Sequence, residues 1–366
     1  MKTNSKILIL GKLPPPFIGP AIATEIILKS KLSRHFELHF HSTKLNEDLN
    51  EFNKVSMSKF KRIISNYSKF RTMLTQVTPD ITLVPIGQTN LSFIRDSLYI
   101  LILKKHNKKH VLQLRGSNFK NWYHETSFIM KLWIKYILKQ AAGVIVLGEN
   151  LKEIFADFID KNRIFVVPNG VDLEFPEKTS KNDKLRILYV GNLQPQKGIE
   201  DLIEALVLLK KNGKNVDCDI IGQWRDGRTK KVCVEKVKDN SLSVVFYGVK
   251  KGIDKNVMYS NADLFVFPPR QPEGHPWVII EAMAAGLPII TTDSGAIRES
   301  VFENVNGFIV EKNNPQKISE IIELLINDEE LRMKMAKESR RLYEEKFTED
   351  RMVANLKKVF DQVLLS

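Results

Sequence analysis

Cysteine is scarce in this 366-residue chain. Only Cys218 and Cys233 are present. Two cysteines cannot make a disulfide framework, and without Cys-x-x-Cys spacing or a nearby histidine cluster they do not make a structural zinc site; a reducing compartment is expected. Long apolar runs are missing as well. The stretches 7–10 and 98–103 are the longest toward the N-terminus, far short of the roughly 20 residues that cross a bilayer. Residues 1–6 are basic, but four apolar residues after them are too few for a signal-peptide core. A cytoplasmic protein, or one peripheral on the inner face of the cell membrane, is expected. No low-complexity tract, internal repeat, G-x-G-x-x-G or nucleic-acid recognition motif stands out, so a nucleic-acid partner is not expected.

What is present is ordinary globular composition, 43% hydrophobic and 27% charged. At roughly 150 residues per domain the length suits about two domains. The net charge of +13 is unevenly placed. Residues 1–170 hold 26 Lys and Arg against 12 Asp and Glu, an excess of 14, whereas residues 171–366 hold 30 against 31. The first half therefore calls for an anionic partner: a phosphorylated substrate, a polyanion or an anionic membrane surface.

Short apolar runs alternate with longer amphipathic stretches, the pattern of parallel strands linked by helices. Strands are predicted at 6–10, 37–41, 81–85, 110–114, 143–147 and 164–167, and a second series at 185–190, 216–220, 244–247, 264–267, 288–292 and 307–310. The fold class is thus α/β, with two Rossmann-like domains. The boundary is placed in the polar stretch 175–184, after the turn Pro168-Asn169-Gly170. This gives residues 1–174 and 175–348, with a last helix at 349–366 that nothing local ties to the second domain. His39 and His41 share a strand face and read as half-buried strand residues rather than a metal pair.

Ligands of open parallel sheets bind beyond the carboxyl ends of the strands, and the unusual residues of this chain cluster there. The loop from Gly11 ends in Gly19-Pro20, which suits a close backbone approach and the first position of a helix. Gly191 to Gly198 lies between a strand and an amphipathic helix, and Lys197 puts a cation where helix amides already favour an anion. In the segment 268–288, Gly274 bends the chain, Pro276 begins a helix, Gly286 stops it and Pro288 prevents its continuation. Glu273 and Glu281 then bracket a helix N-terminus. Carboxylates so placed accept hydrogen bonds from sugar hydroxyls; a capped surface helix with two incidental glutamates is the plainer alternative.

Glu273, seven residues, Glu281 and then Ala282-Met283-Ala284-Ala285-Gly286-Leu287-Pro288 resembles the hallmark of the family 4 glycosyltransferases, retaining enzymes of the GT-B fold. Val167-Pro-Asn-Gly-Val-Asp172, Lys197-Gly198, Phe246-Tyr-Gly248 and Thr292-Asp-Ser-Gly295 are similar to the wider pattern, which is strong over 165–310 and looser before it. The resemblance implies two Rossmann-like domains facing across a cleft, with the C-terminal helix crossing back to an acceptor-binding first domain. It implies that Glu281 binds the nucleotide ribose, that Glu273 contacts the donor sugar, and that Lys197 holds the diphosphate. Gly191, the backbone at Val249, and the stretch His275, Pro276, Trp277 and Val278 would line the donor, with Gly19 near the diphosphate and acceptor. No metal cofactor is implied, the nucleotide-diphosphate sugar being a substrate, and no Asp-x-Asp occurs at a strand end. Three departures stand out. Asn192 occupies the place of a family arginine, leaving Arg225, Arg270 and Arg115 as candidate replacements. Arg115 replaces a family histidine. The first loop keeps only Gly19-Pro20 of a glycine pair.

The expected reaction is transfer of a sugar from a nucleotide diphosphate to an acceptor hydroxyl, in cell-surface polysaccharide or glycolipid synthesis. The acceptor is expected to be a glycan or lipid-linked. The basic aromatic stretches 59–71 and 128–140 are candidates for an anionic membrane surface, against the alternative of ordinary amphipathic helices. A nucleotide-sugar epimerase and a non-catalytic GT-B binding subunit are the competing readings.

Overall fold

The computed structural model describes residues 5–15, 18–44, 57–178 and 183–366, with side chains from Arg62 onward in the second of its helices. Parts of the first loop (16–17) and of the expected linker (179–182) lie outside the described residues, as do the side chains of the basic stretch at 59–61. The chain divides into two units, residues 1–169 with 349–366, and residues 170–348.

The first unit runs β1 (Lys6–Gly11), α1 (Gly19–Lys29), β2 (Glu37–Ser42), α2 (Met57–Val77), β3 (Ile81–Ile86), α3 (Asn90–Lys105), β4 (Lys109–Leu114), α4 (Phe119–Glu125), α5 (Phe128–Leu138), β5 (Gly143–Val146) and β6 (Ile164–Val166). The second runs β7 (Arg186–Val190), α6 (Ile199–Lys211), β8 (Asp217–Ile221), α7 (Gly227–Asp239), β9 (Ser243–Gly248), α8 (Gly252–Asn261), β10 (Leu264–Phe267), α9 (Trp277–Ala284), β11 (Ile289–Thr292), β12 (Gly307–Val310), α10 (Pro315–Asn327) and α11 (Glu329–Lys346). The last helix, α12 (Glu349–Leu365), belongs to the first unit. All twelve anticipated strands form, each end in place or displaced by one residue.

Each unit is a six-stranded parallel sheet, ordered β2-β1-β3-β4-β5-β6 and β12-β11-β10-β7-β8-β9. The central strands are covered on both faces, as parallel sheets require; Ile7, Leu8, Ile9, Ile187, Leu188 and Tyr189 are all buried. The return of the chain to its first unit has a packing cause. Met352, Leu356 and Phe360 of α12 complete a core with Ile7, Ile9, Ile27, Leu83 and Val111. Phe360 meets Phe36 edge to face at 5.6 Å. Lys31 binds Asp350 at 2.7 Å, and Lys109 donates to the Val363 carbonyl at 3.0 Å.

Strand order also fixes where crevices open. The direction of winding reverses between β1 and β3 in the first sheet and between β7 and β10 in the second. Loops leaving adjacent strands at such a reversal turn to opposite faces and leave a gap at the carboxyl edge. On β2, at the edge, His39 pairs with Glu37 and His41 bonds Asn66 at 3.1 Å, so the strand-face reading of the two histidines fits. Among the described residues no group of metal-ligating side chains occurs, and no helix is long and apolar enough to cross a membrane.

Candidate active site in the second unit

The reversal between β7 and β10 brings together the loop carrying Lys197 and the loop carrying Glu273. Backbone bonds staple them: Arg270 N donates to the Gln196 carbonyl at 3.0 Å, and Ala296 N, after β11, donates to the Gly274 carbonyl at 2.8 Å. Two glycines make this closeness possible. Gly198 has φ +76°, and a Cβ there would lie 1.9 Å from the Pro268 carbonyl oxygen; Gly295 has φ +57°, and its Cβ would lie 1.7 Å from that of Glu273. Both positions combine a left-handed backbone with no room for a side chain.

Within the staple, Lys197 Nζ forms an ion pair with Glu273 Oε1, both side chains being largely covered at 25% and 13% exposure. Tyr189 OH donates to the Lys197 carbonyl at 3.0 Å and fixes the short turn before α6. Ser294 Oγ accepts from Glu273 N and donates to the Gln271 carbonyl, each at 2.8 Å. Glu281 sits on the second turn of α9, where Lys255 Nζ donates to one carboxylate oxygen at 2.6 Å and Tyr259 OH to the other at 2.9 Å. Pro276 caps α9 without a side-chain hydrogen bond of its own, and no acidic residue lies in the first turn, so the positive end of the helix suits an anion or a sugar oxygen.

The remaining sequence candidates divide. Gly191 begins the turn after β7, its N–H donating to Ile221 at 3.0 Å. Val249 follows β9 and is exposed. Trp277 is buried and Val278 half-buried on the first turn of α9. Arg225 Nε donates to Asn192 Oδ1 at 3.1 Å, which puts a guanidinium beside the residue that replaces the family arginine. Arg270 is not such a replacement. Its fork is closed on Asp201 at 2.8 and 2.6 Å and on Glu200 at 3.2 Å, and the Asp201 hydrogen bonds hold its basicity above the ordinary value. His275 turns its side chain inward: 4% exposed, it bonds Ser300 Oγ at 2.6 Å and packs on Phe347, and burial pushes its pKa down to about 3. Arg115 and Gly19 belong to the first unit. Asp217 and Asp219 open β8 and both pair with Arg186, at 3.1 and 3.0 Å.

Lys255, Tyr259 and Ser294 escape the sequence analysis. The first two are four residues apart on α8 and so share a helix face, the one signal that pointed to them.

Known proteins place this chain in a class. Residues 170–342 match the family described as glycosyl transferases group 1, and residues 34–175 match glycosyltransferase family 4. An uncharacterized glycosyltransferase of Methanocaldococcus jannaschii is 30% identical over 283 residues, 76% of either chain. The chain belongs to this glycosyltransferase family. It is also similar to the capsular polysaccharide biosynthesis glycosyltransferase CapM of Staphylococcus aureus, 31% identical over 65% of this chain and 66% of the relative. In fold it resembles HepE of Anabaena, solved in complex with UDP and glucose, with a TM-score of 0.73 and 17% identity over 98% of this chain and all of the other.

Proposed function

We propose that the protein is a retaining hexosyltransferase that needs no metal, moving a sugar from a nucleotide-diphosphate sugar, such as a UDP-sugar, to an acceptor hydroxyl in cell-surface polysaccharide or glycolipid synthesis. The observation that carries this is the Lys197–Glu273 pair beside Glu281 at the uncapped start of α9. A diphosphate draws Lys197, while sugar hydroxyls donate to the carboxylate that Lys197 leaves. Glu281, oriented by Lys255 and Tyr259, accepts from the two ribose hydroxyls. Arg225 supplies the second cation beside Asn192, and the backbone at Val249 meets the base. In the reaction the bond from the anomeric carbon to the diphosphate oxygen breaks and its electron pair stays on the diphosphate. The acceptor oxygen bonds the same carbon on the same face, and its proton passes to the diphosphate. Lys197, Arg225 and the helix amides stabilise the charge that accumulates on the leaving group. The first unit would hold the acceptor.

The test is a thermal-shift panel of nucleotide sugars followed by turnover with the donor that binds, ligand stabilisation following affinity. Transfer with retained anomeric configuration, insensitive to chelator and abolished in Lys197→Ala and Glu273→Ala, supports the reading. Product formed from donor alone as a new nucleotide sugar would make it an epimerase, and transfer surviving both substitutions would remove this site from the chemistry.

Attachment to an anionic membrane from the cytoplasmic side is part of the same proposal. Leu91, Ile94 and Leu98 of α3 and Phe128, Ile129, Leu132 and Tyr136 of α5 are exposed large hydrophobic residues. The two helices are tied side by side, Trp133 Nε1 donating to Ser97 Oγ and Lys104 Nζ to Tyr136 OH, each at 3.1 Å. Lys135 and Lys139 lie on the exposed side of the same helix. An apolar face edged with cations suits the boundary between headgroups and acyl chains.

A further inference from the structure

The first sheet has its own reversal of winding, between β1 and β3, and a cavity of 290 Å³ opens there. Its wall includes Lys12, Gln88, Arg95, Asp96 and Arg115. Arg225 lies beside Asn192 and takes the place of the second cation, so the donor proposal leaves Arg115 and this cavity without a role. Its charge is unbalanced in a specific way. Asp96 is consumed: its carboxylate takes both Arg95 Nε and Nη2 at 2.7 Å and the Gly87 amide at 2.8 Å. Arg95 and Asp96 therefore cancel. Lys12 and Arg115 have no carboxylate within ion-pair distance among the described residues. Arg115 is held at 2.9 Å by Gln113 Oε1 and at 3.3 Å by Asn169 Oδ1, two neutral amides that orient a guanidinium without neutralising it. Burial pushes Arg115 down to about 9, and burial, followed by Arg95, pushes Lys12 down against a smaller upward pull from Asp96. Both groups would regain their charge preference beside an anion.

Two further features point to a ligand. Gln88 Oε1 is buried and accepts no hydrogen bond, an expense that a ligand hydroxyl would remove. The loops close tightly round the cavity, a Cβ at Gly116 falling 1.9 Å from Gln88 Nε2, so Gln88 is held in place. Two cations without an ion-paired carboxylate among the described residues match a group of charge near −2, which at neutral pH is a phosphate rather than a carboxylate.

We propose that this cavity is the acceptor subsite and that the acceptor is a phosphate-bearing sugar, its phosphate held by Arg115 and Lys12 and a hydroxyl donated to Gln88. The proposal rests on the glycosyl-transfer reading for the word acceptor, but the phosphate site itself is testable without it.

The test uses the full chain carrying Lys197→Ala, which removes the phosphate-gripping cation of the second unit. Inorganic phosphate is titrated and followed by 31P NMR, with acetate as competitor. Saturable binding is expected. It should weaken about ten- to hundredfold on adding Arg115→Gln or Lys12→Gln, the range for a hydrogen bond to a charged group, and recover in part with Arg115→Lys. Acetate should compete at least tenfold less well. Undiminished binding in Arg115→Gln, no binding in the Lys197→Ala parent, or acetate competing equally would each overturn the proposal. Glucose 1-phosphate and its dodecyl ester then separate the sources: tighter binding of the ester assigns the phosphate to a lipid-linked sugar, and equal binding to a free sugar phosphate. Nucleotide-sugar binding by the unsubstituted protein is measured alongside. Its absence with the phosphate site intact would sink the transfer reading and leave the site, and the converse result would do the opposite.

Discussion

Replacing Gly295 with alanine tests the geometry of the second unit most directly. A Cβ at Gly295 lies 1.7 Å from the Glu273 carbonyl oxygen and 2.6 Å from that of Gly274, whereas real Cβ contacts do not fall below 3.0 Å. The Glu273 carbonyl must retreat by about 1.3 Å, the difference between 3.0 and 1.7 Å. Two bonds oppose the movement, Glu273 N to Ser294 Oγ and Ala296 N to Gly274 O, each 2.8 Å. Displacement of a positioning group by roughly 1 Å costs on the order of a hundredfold in rate, about 2.7 kcal/mol. The left-handed backbone adds about 1–2 kcal/mol of its own to the stability cost. Gly213 separates the two effects: it has φ +75° with nothing within 4 Å of a Cβ, so Gly213→Ala carries the backbone strain alone. Gly295→Ala should lower kcat/KM for the donor about a hundredfold and melt earlier than Gly213→Ala, which should lose stability but keep its kcat/KM. Steady-state nucleotide release and thermal denaturation of both variants are the assays. Equal kcat/KM in the two would show that the contact does not position Glu273 for the chemistry.

Tyr259→Phe deletes one of the two bonds that orient Glu281 without changing the shape of the buried ring. A hydrogen bond to a charged group is worth about 1.5–3 kcal/mol, so the donor KM should rise about tenfold or more with kcat little changed; a KM within twofold of the parent would remove Tyr259 from the site. His275 sets a pH dependence. Burial pushes it down to about 3, below its ordinary 6.5. The unfolded chain thus takes up a proton as pH falls through 6.5 while the folded chain does not, so stability is full above that pH and declines below it by up to about 1.4 kcal/mol per pH unit. Urea unfolding between pH 7.5 and 5 should show about 2 kcal/mol of loss that His275→Gln removes, and parallel curves for the two proteins would refute the assignment. Phe128→Ser with Ile129→Ser should cut co-sedimentation with anionic vesicles at least tenfold, each large apolar side chain being worth about 1.5 kcal/mol or more when buried, while leaving the melting temperature unchanged. Wild-type binding indifferent to anionic lipid would reject the membrane face.

The architecture was legible because its signals are local. A parallel strand covered on both faces is an apolar run by necessity, and Gly, Pro and Asn mark its ends, so twelve strands could be read to within one residue. The start and stop of α9 were written in Pro276 and Gly286, and the positions of Glu273 and Glu281 followed. Partners are a different matter, since they come from distant parts of the chain. Lys255 and Tyr259 lie 26 and 22 residues from Glu281, and nothing in their own neighbourhood marks them as more than a solvated lysine and a core tyrosine. Arg270 looked like a spare cation until Asp201, 69 residues away, was seen to hold it. Arg115 is the opposite case: its interest lies in the absence of an ion-paired carboxylate among the described residues, which no stretch of sequence displays. The outward face of α3 was hidden for a third reason. Phe93, Ile100 and Leu103 point into the core while Leu91, Ile94 and Leu98 are exposed, so the helix carries apolar residues on two sides and its periodicity cannot say which side is covered. That ambiguity has the same origin as the proposed function of the face: a helix that buries one side in protein and another in lipid has two apolar sides, and no single one stands out in its sequence. The vesicle experiment, made on the adjoining α5, tests the face that α3 shares with it and that periodicity was bound to miss.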